Sequence, residues 1–278
     1  MAHEFSDAAE KILDKKFKVL DKGFVRLVDY IGGDQRIVDS ARVSYGKGTK
    51  SVRQNKGLID YLISHEHTSP FEQVVLTFHC KMPIFVARQW VRHRTARLNE
   101  ISGRYSVMQS EFYIPPVDQI RYQNLDNRQG RSNQEVPESL QQKVLDILQT
   151  ANKNTYDDYS SLLEDDIARE LARINLPLSL YTQWYWQIDL HNLFHFLKLR
   201  LDYHAQWEIQ EYGKVIAEMT KAVAPMAYVA FETHVLNAVT FSGDELAALK
   251  AEFKNENNLL RGIKKTEFMT KIKRIFDI

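Results

Sequence analysis

Residues 72–82, EQVVLTFHCKM, alternate without a break. Val74, Leu76, Phe78, Cys80 and Met82 fall on one face, and Val75, Thr77, His79 and Lys81 on the other. A period of two with a single apolar face describes a half-buried strand. Pro83 follows at once and suits the first position of a helix, where its missing N–H costs nothing. The helix predicted there runs through IFVARQWVRHR, residues 84–94.

The remaining pattern supplies partners for that strand. Residues 17–31, FKVLDKGFVRLVDYI, read as two strands joined by a turn at Lys22-Gly23. Leu58, Tyr61 and Leu62 give residues 53–64 helical spacing, and His65–Pro70 is expected to connect. Residues 138–173 read as helical up to an interruption at Pro177, and 188–204 and 207–230 as two further helices. The segment 115–137 is rich in Pro, Asn, Gln and Arg and is expected to be an exposed loop. The expected class is therefore α+β, one domain with a mixed or antiparallel sheet packed by several helices. Its bounds are 17–241, with an N-terminal extension at 1–16 and a helical C-terminal extension at 242–278.

Composition closes off several functions. The chain has 278 residues and a formal net charge of +1, which gives no global electrostatic case for binding nucleic acid or a membrane surface. One cysteine, Cys80, excludes an internal disulfide and a four-cysteine zinc site. No apolar run approaches the length of a membrane span, and the polar start MAHEFSDAAEKILDKKFKVL lacks the features of a signal peptide, so a cytoplasmic location is expected. No G-x-G-x-x-G follows a strand and no P-loop is present, so a nucleotide would be held without either device.

The chemistry concentrates in Arg88–Ser106, RQWVRHRTARLNEISGRYS, which holds arginines at 88, 92, 94, 97 and 104. Gln89, Arg92 and His93 would share a helix face. Gly103 would let backbone approach a ligand closely, with Ser102 and Arg104 beside it. Guanidinium groups match phosphate oxygens two at a time, and Asn99 and Glu100 are suited to reading polar edges. A solvated basic helix end with ion pairs accounts for the same composition. His191 and His195, four apart, and His204 permit a metal pair by spacing alone, although no acidic ligand is obviously placed. The run Glu164-Asp165-Asp166 is expected to cap the following helix, and Trp184, Tyr185 and Trp186 to lie in core or subunit interface. The basic tail Lys264–Arg274 reads as an amphipathic surface helix.

The order of these residues resembles a known signature. RHRTARLNEISGR, residues 92–104, is similar to Arg-His-Arg-x-x-Ser-x-Asn-Glu-x-Ser-x-Arg of the flavin-dependent thymidylate synthases. Seven of the eight specified positions agree, and the departure is Arg97 in place of Ser. ARVSY at 41–45, HEHTSPFEQ at 65–73, MPIFVARQW at 82–90, ELARINLPLSLYTQWYW at 170–186 and LHNLFHFLKLRLDYHAQWEIQ at 190–210 resemble family segments in the right order.

The resemblance implies a homotetramer with shared active sites and an FAD-dependent methylation of dUMP to dTMP. Methylenetetrahydrofolate would supply the carbon and NADPH the reducing equivalents. It implies FAD contacts at His67, Ser69, Arg92, His93, Arg94, Glu100, Asp189, His191 and His195. Asp189 and His191 depart from an Asn-x-Arg pattern common in relatives. It places dUMP against Gln89, Arg92, Glu100, Ser102, Gly103, Arg104, Arg173 and Arg200, with Arg200 on the pyrimidine as the catalytic residue. No metal, nucleic acid or membrane partner is implied.

The chemistry of the residues accords with this. Making C5 of uracil nucleophilic requires either a thiolate adding to C6 or polarisation of the ring. Cys80 lies on the apolar strand face, where a cysteine serves as core. A guanidinium such as that of Arg200 stays charged and stabilises developing anion. Two competing readings remain open at this level: a flavoprotein that only oxidises or reduces a pyrimidine nucleotide, and an RNA-binding module using the arginine-rich segment.

Overall fold

A computed structural model describes residues 4–43, 52–125, 129–253 and 262–276, so Ser44 and Tyr45 of the ARVSY segment lie outside the described residues. It divides into two units, residues 1–231 and 232–278.

The first unit is built on the expected strand. β1 (Lys16–Val19) and β2 (Gly23–Ile31) form the hairpin, and β3 (Val75–Pro83) is the alternating segment. β4 (Arg97–Glu100) and the later β7 (Tyr181–Asp189) complete an antiparallel sheet in the order β1-β2-β3-β7-β4. Gly23 is required by close approach. A Cβ there would sit 2.0 Å from the Tyr212 hydroxyl and 2.7 Å from two backbone carbonyls.

The register sorts side chains onto two faces. Phe78 lies opposite Trp186, Cys80 opposite Trp184 and Leu76 opposite Ile188, all buried. His79 lies opposite Tyr185 and Arg26 on the other face, where Arg26 donates to the Tyr185 hydroxyl at 2.9 Å. The apolar face is covered by α4 (Ile84–Trp90), α7 (Leu190–Arg200) and α8 (Trp207–Val223). Trp90 is the centre of this layer. Its ring centroid lies 5.5 Å from Trp184, 5.2 Å from Trp186, 5.0 Å from Phe196 and 5.8 Å from Tyr212.

The other helices of this unit are α1 (Asp7–Glu10), α2 (Asp34–Arg42), α3 (Val52–Ser64), α5 (Glu138–Glu164), α6 (Arg169–Ala172) and α9 (Pro225–Phe231). The segment 1–16 is tied down where it is described. Ser6 bonds to Tyr30 and to the Ala222 carbonyl, and Ala9 is fully buried.

Several expectations need correction. Residues 115–137 are not wholly loop. β5 (Arg121–Gln123) pairs with β6 (Arg131–Glu135), and Arg131 forms an ion pair with buried Glu208 of α8. That tertiary partner leaves no trace in local composition. The segment 181–189 is strand up to Asp189, so the helix expected from 188 begins at Leu190. The expected helix 207–230 breaks at Ala224, because Pro225 has no N–H and restricts the residue before it. Glu164-Asp165-Asp166 ends α5 instead of capping α6. Asp166 has φ 56°, a left-handed conformation that Asp tolerates better than most residues.

In the second unit, α10 (Gly243–Phe253) starts with a reciprocal cap. The Ser242 N–H donates to Glu245 Oε2 at 2.7 Å and the Glu245 N–H to Ser242 Oγ at 3.3 Å. In α11 (Gly262–Phe276), Phe268 is buried with Ala248 while Met269 is exposed, the two-faced pattern expected of the tail. Lys271 donates to both Glu245 carboxylate oxygens, at 2.6 and 2.8 Å.

Trp90→Ala should lower unfolding stability by about 3–5 kcal/mol, because it empties the contact shared by sheet and helices. Urea denaturation of the purified variant measures this, and a loss below about 1 kcal/mol would remove Trp90 from that central role.

Candidate active site

α4 stops at Trp90, not at Arg94 as expected from periodicity. The Val91 N–H closes it on Ala87 and the His93 N–H bonds back to the Trp90 carbonyl at 3.0 Å, so the chain turns before β4 pairs with β7 from Arg97. Arg92, His93 and Arg94 thus sit on the connection between helix and strand.

Arg200, the last residue of α7, comes to this connection. Its Nε donates to His93 Nε2 at 3.0 Å and its Nη2 to the Gln89 carbonyl at 3.1 Å. A guanidinium only donates, so Nε2 of His93 carries the lone pair and its proton is on Nδ1. The His93 ring meets Phe196 edge-on at 4.9 Å and His195 at 5.8 Å. Burial, then the charge of Arg200, then His195 pull the His93 pKa down to about 4. Half-burial also lowers that of Arg200, which stays protonated at any ordinary pH.

Behind this pair runs a chain of bonds that sequence reasoning missed. The Gln89 side chain donates to Gln206, and Gln206 donates to Glu208 at 2.8 Å. Glu208 is 1% exposed and is held by Arg131 and by the Tyr113 hydroxyl at 3.0 Å. Glu208 stands in the first turn of α8, a common place for an acidic residue, so its local sequence gives no signal of these partners.

β4 separates the next residues by face. Arg97 and Asn99 point to the side of Gln187 and Tyr185, and Arg97 donates to Gln187 at 3.3 Å. Glu100 lies on the other side and accepts from the Thr182 hydroxyl at 2.6 Å. The residue that departs from the signature is therefore on a different sheet face from Glu100. After β4, Ser102 begins a turn in which its carbonyl accepts from Tyr105 and Ser106. Gly103 is buried in this turn. A Cβ there would lie 3.0 Å from Arg173 Cδ and 3.2 Å from Met108 Sδ, so the space it frees is used first by the protein's own side chains. Arg104 pairs with Glu170 of α6 at 3.0 Å, both more than half exposed, which stabilises little.

The other expected residues are placed less uniformly. Ser69 opens a short 3-10 turn, Ser69–Gln73, whose Phe71 packs on Phe194 of α7 at 6.4 Å. His67 belongs to a ring cluster with Tyr61 at 5.9 Å and His65 at 6.3 Å. Asp189 caps α7, accepting from the Asn192 N–H at 2.9 Å and its side chain at 2.8 Å. His191 is half-buried and His195, one turn later, is exposed. His204 bonds to Asp202 at 2.8 Å. Among the described residues no cluster of His, Cys, Asp and Glu suits a metal ion. A cleft of about 230 Å³ lined by Lys22, Phe112, Asn152 and Tyr156 holds none of these side chains.

The guanidinium groups of Arg92, Arg94 and Arg173 make no hydrogen bond or ion pair within the described residues. Uncommitted guanidinium groups, Arg92 and Arg94 flanking His93 in the chain and Arg173 against the Gly103 turn, are donors suited to phosphate oxygens. The residues present thus fit a nucleotide and a phosphate-bearing cofactor such as FAD.

Comparisons with known proteins agree in kind. Residues 26–226 match the family model described as thymidylate synthase complementing protein. The chain is 60% identical over 261 residues to the flavin-dependent thymidylate synthase of Treponema denticola, covering 94% of this chain and 98% of that one. It is 54% identical over 273 residues to that of Treponema pallidum, covering 98% of this chain and 90% of that one. Among solved structures it resembles the UMP/dUMP methylase PolB of Streptomyces cacaoi bound with 5-Br dUMP. There the TM-score is 0.72 at 30% identity, covering 79% of this chain and 99% of that chain.

His93 should remain neutral far below the ordinary histidine range, and its imidazole nitrogen shifts should titrate near pH 4. Because this pKa is depressed relative to the unfolded value, the associated stability is fully present above about pH 6.5 and is lost as pH falls through about 4. A midpoint near 6.5 would contradict the environment described.

Proposed function

Because the chain belongs to the family of thymidylate synthase complementing proteins, the flavin-dependent thymidylate synthases, we propose that it converts dUMP to dTMP by reductive methylation. Methylenetetrahydrofolate is the carbon donor and NADPH the reductant. The observation that carries this reading is the half-buried Arg200 guanidinium at the end of α7, held by His93 and the Gln89 carbonyl against the connection that bears Arg92 and Arg94.

dUMP binds against Gln89, Arg92, Glu100, Ser102, Gly103, Arg104 and Arg173, with backbone and phosphate contacts from Ser102, Gly103 and Arg104. Arg200 lies on the pyrimidine. Its fixed positive charge favours loss of the N3 proton and supports the negative charge spread over N3 and its neighbouring oxygens, so that C5 becomes nucleophilic. His67, Ser69, Arg92, His93, Arg94, Glu100, Asp189, His191 and His195 hold FAD. His93 does so as a neutral imidazole. Asp189 does so while capping α7, which fixes its carboxylate. When bound, FAD supplies the reducing equivalents that turn the transferred carbon into a methyl group.

A thiol route is poorly supported. Cys80 is fully buried on the helix-covered sheet face, and burial pushes its pKa well up, away from thiolate. We assign the homotetramer with shared sites to this protein as well. The sheet face away from the helices leaves Tyr185 44% exposed in the single chain, which suits a subunit contact. Among the described residues no helix is long and apolar enough to cross a membrane, and the proposed location is cytoplasmic.

The purified protein should be yellow and should release the C5 hydrogen of dUMP when folate and NADPH are supplied. A yellow protein that never releases it would be a simple oxidoreductase, and a colourless one that binds RNA with steep salt dependence would be neither. Arg200→Ala should lower turnover by roughly 10²–10³-fold with flavin still bound. Cys80→Ser should turn over within about fivefold of the parent while losing about 1–3 kcal/mol of stability, since it buries a hydroxyl among apolar groups. Folded but inactive Cys80→Ser protein would reopen the thiol route.

A further inference from the structure

We infer that His93 is a positioning residue for Arg200: as a neutral acceptor it aims the guanidinium without cancelling its charge. This rests on the assignment of Arg200 to the pyrimidine and adds to His93 a role distinct from holding FAD.

The geometry is a two-point clamp. An arginine side chain carries large rotamer freedom, and one hydrogen bond leaves it free to swing about that bond. Here Nε is fixed by His93 at 3.0 Å and Nη2 by the Gln89 carbonyl at 3.1 Å. Two anchors set the plane of the guanidinium. The Gln89 carbonyl belongs to α4, which packs on the sheet, and His93 to the connection just after it, three residues beyond the buried Trp90. Of the five N–H donors, two are used and three remain for a ligand.

The chemistry of the acceptor matters as much as its position. A carboxylate at this place would orient Arg200 equally well, but as an ion pair it would neutralise the charge meant for the pyrimidine. An imidazolium would turn an N–H toward a donor and repel it. Only a neutral acceptor gives direction with charge retained. The surroundings keep His93 in that state. Its ring faces Phe196 edge-on, and the ionisable groups facing it from α7 are Arg200 and His195, both of which disfavour a second positive charge. Arg92 and Arg94 flank it along the chain.

Three substitutions separate orientation from charge, assayed in holoenzyme at saturating dUMP, methylenetetrahydrofolate and NADPH, with flavin content measured for each. His93→Gln keeps a neutral acceptor at similar reach and should recover most of the kcat that His93→Leu loses. His93→Leu removes the acceptor and should lower kcat about 10–100-fold, the range for losing a hydrogen bond to a charged group. His93→Glu keeps an acceptor but adds charge and should lower kcat by a comparable factor. His93→Leu added to Arg200→Ala should cause no further loss, because the two act as one unit.

Full-rate His93→Leu protein with normal flavin content overturns the inference, and so does a loss that multiplies in full with that of Arg200→Ala. Full-rate His93→Glu overturns the charge argument. If His93→Leu fails to retain flavin, a crystal structure of the flavin-free variant decides. Arg200 displaced from the Gln89 carbonyl supports the clamp, and Arg200 unmoved refutes it. Normal turnover in Arg200→Ala alone would instead bring down the assignment of Arg200, a result distinguishable from each of these.

Discussion

The packing of Trp90 is the contact on which the rest depends. It joins Trp184 and Trp186 of the sheet to Phe196 of α7 and Tyr212 of α8, through ring contacts of 5.0–5.8 Å. Trp90 is the last residue of α4, three positions before His93, and Phe196 lies one helical turn before Arg200. Seating one indole therefore sets both the point where α4 ends and the height of α7 above the sheet. His93 and Arg200 meet because these two elements share a buried aromatic contact. Interiors are close-packed, so the relative position of the two side chains has little room to drift.

Charge is handled differently at three depths. At the surface, Arg104 and Glu170 form an exposed pair of small energetic weight. Half-buried, Arg200 keeps its charge because its partners are neutral. Deeper, Glu208 is 1% exposed and fully engaged by Arg131, Tyr113 and Gln206. The last arrangement ties the β5–β6 hairpin to α8 and, through Gln206, to Gln89. A segment whose composition reads as loose loop is thus linked by bonded side chains to the candidate site.

Much of this was legible in local pattern. The alternation at 74–82 identifies β3 and its buried face, and Lys22-Gly23 marks the β1–β2 turn. Residues 181–189 carried the same period-two signal in Trp184, Trp186 and Ile188, and an adjoining helical pattern obscured it. The β5–β6 hairpin was not legible, since its strands are polar and depend on Arg131 finding Glu208. The residue type at Gly103 suggests close approach of backbone to a ligand, but the atoms that a Cβ there would meet, those of Arg173 and Met108, come from elsewhere in the chain.

By itself the sequence determined the kinds of group available: arginines in a specific order, a single cysteine on an apolar strand face, and the family to which that order belongs. Those are properties of residue identity and short-range spacing, which survive without a fold. Only tertiary structure decided that Arg200 donates to His93, that Gln206 and Glu208 stand behind Gln89, and that Arg97 and Glu100 lie on opposite sheet faces. His93 and Arg200 are 107 residues apart in the chain. No local rule relates them. Their meeting follows from helix-on-sheet packing, which is settled only when all its contacts form together.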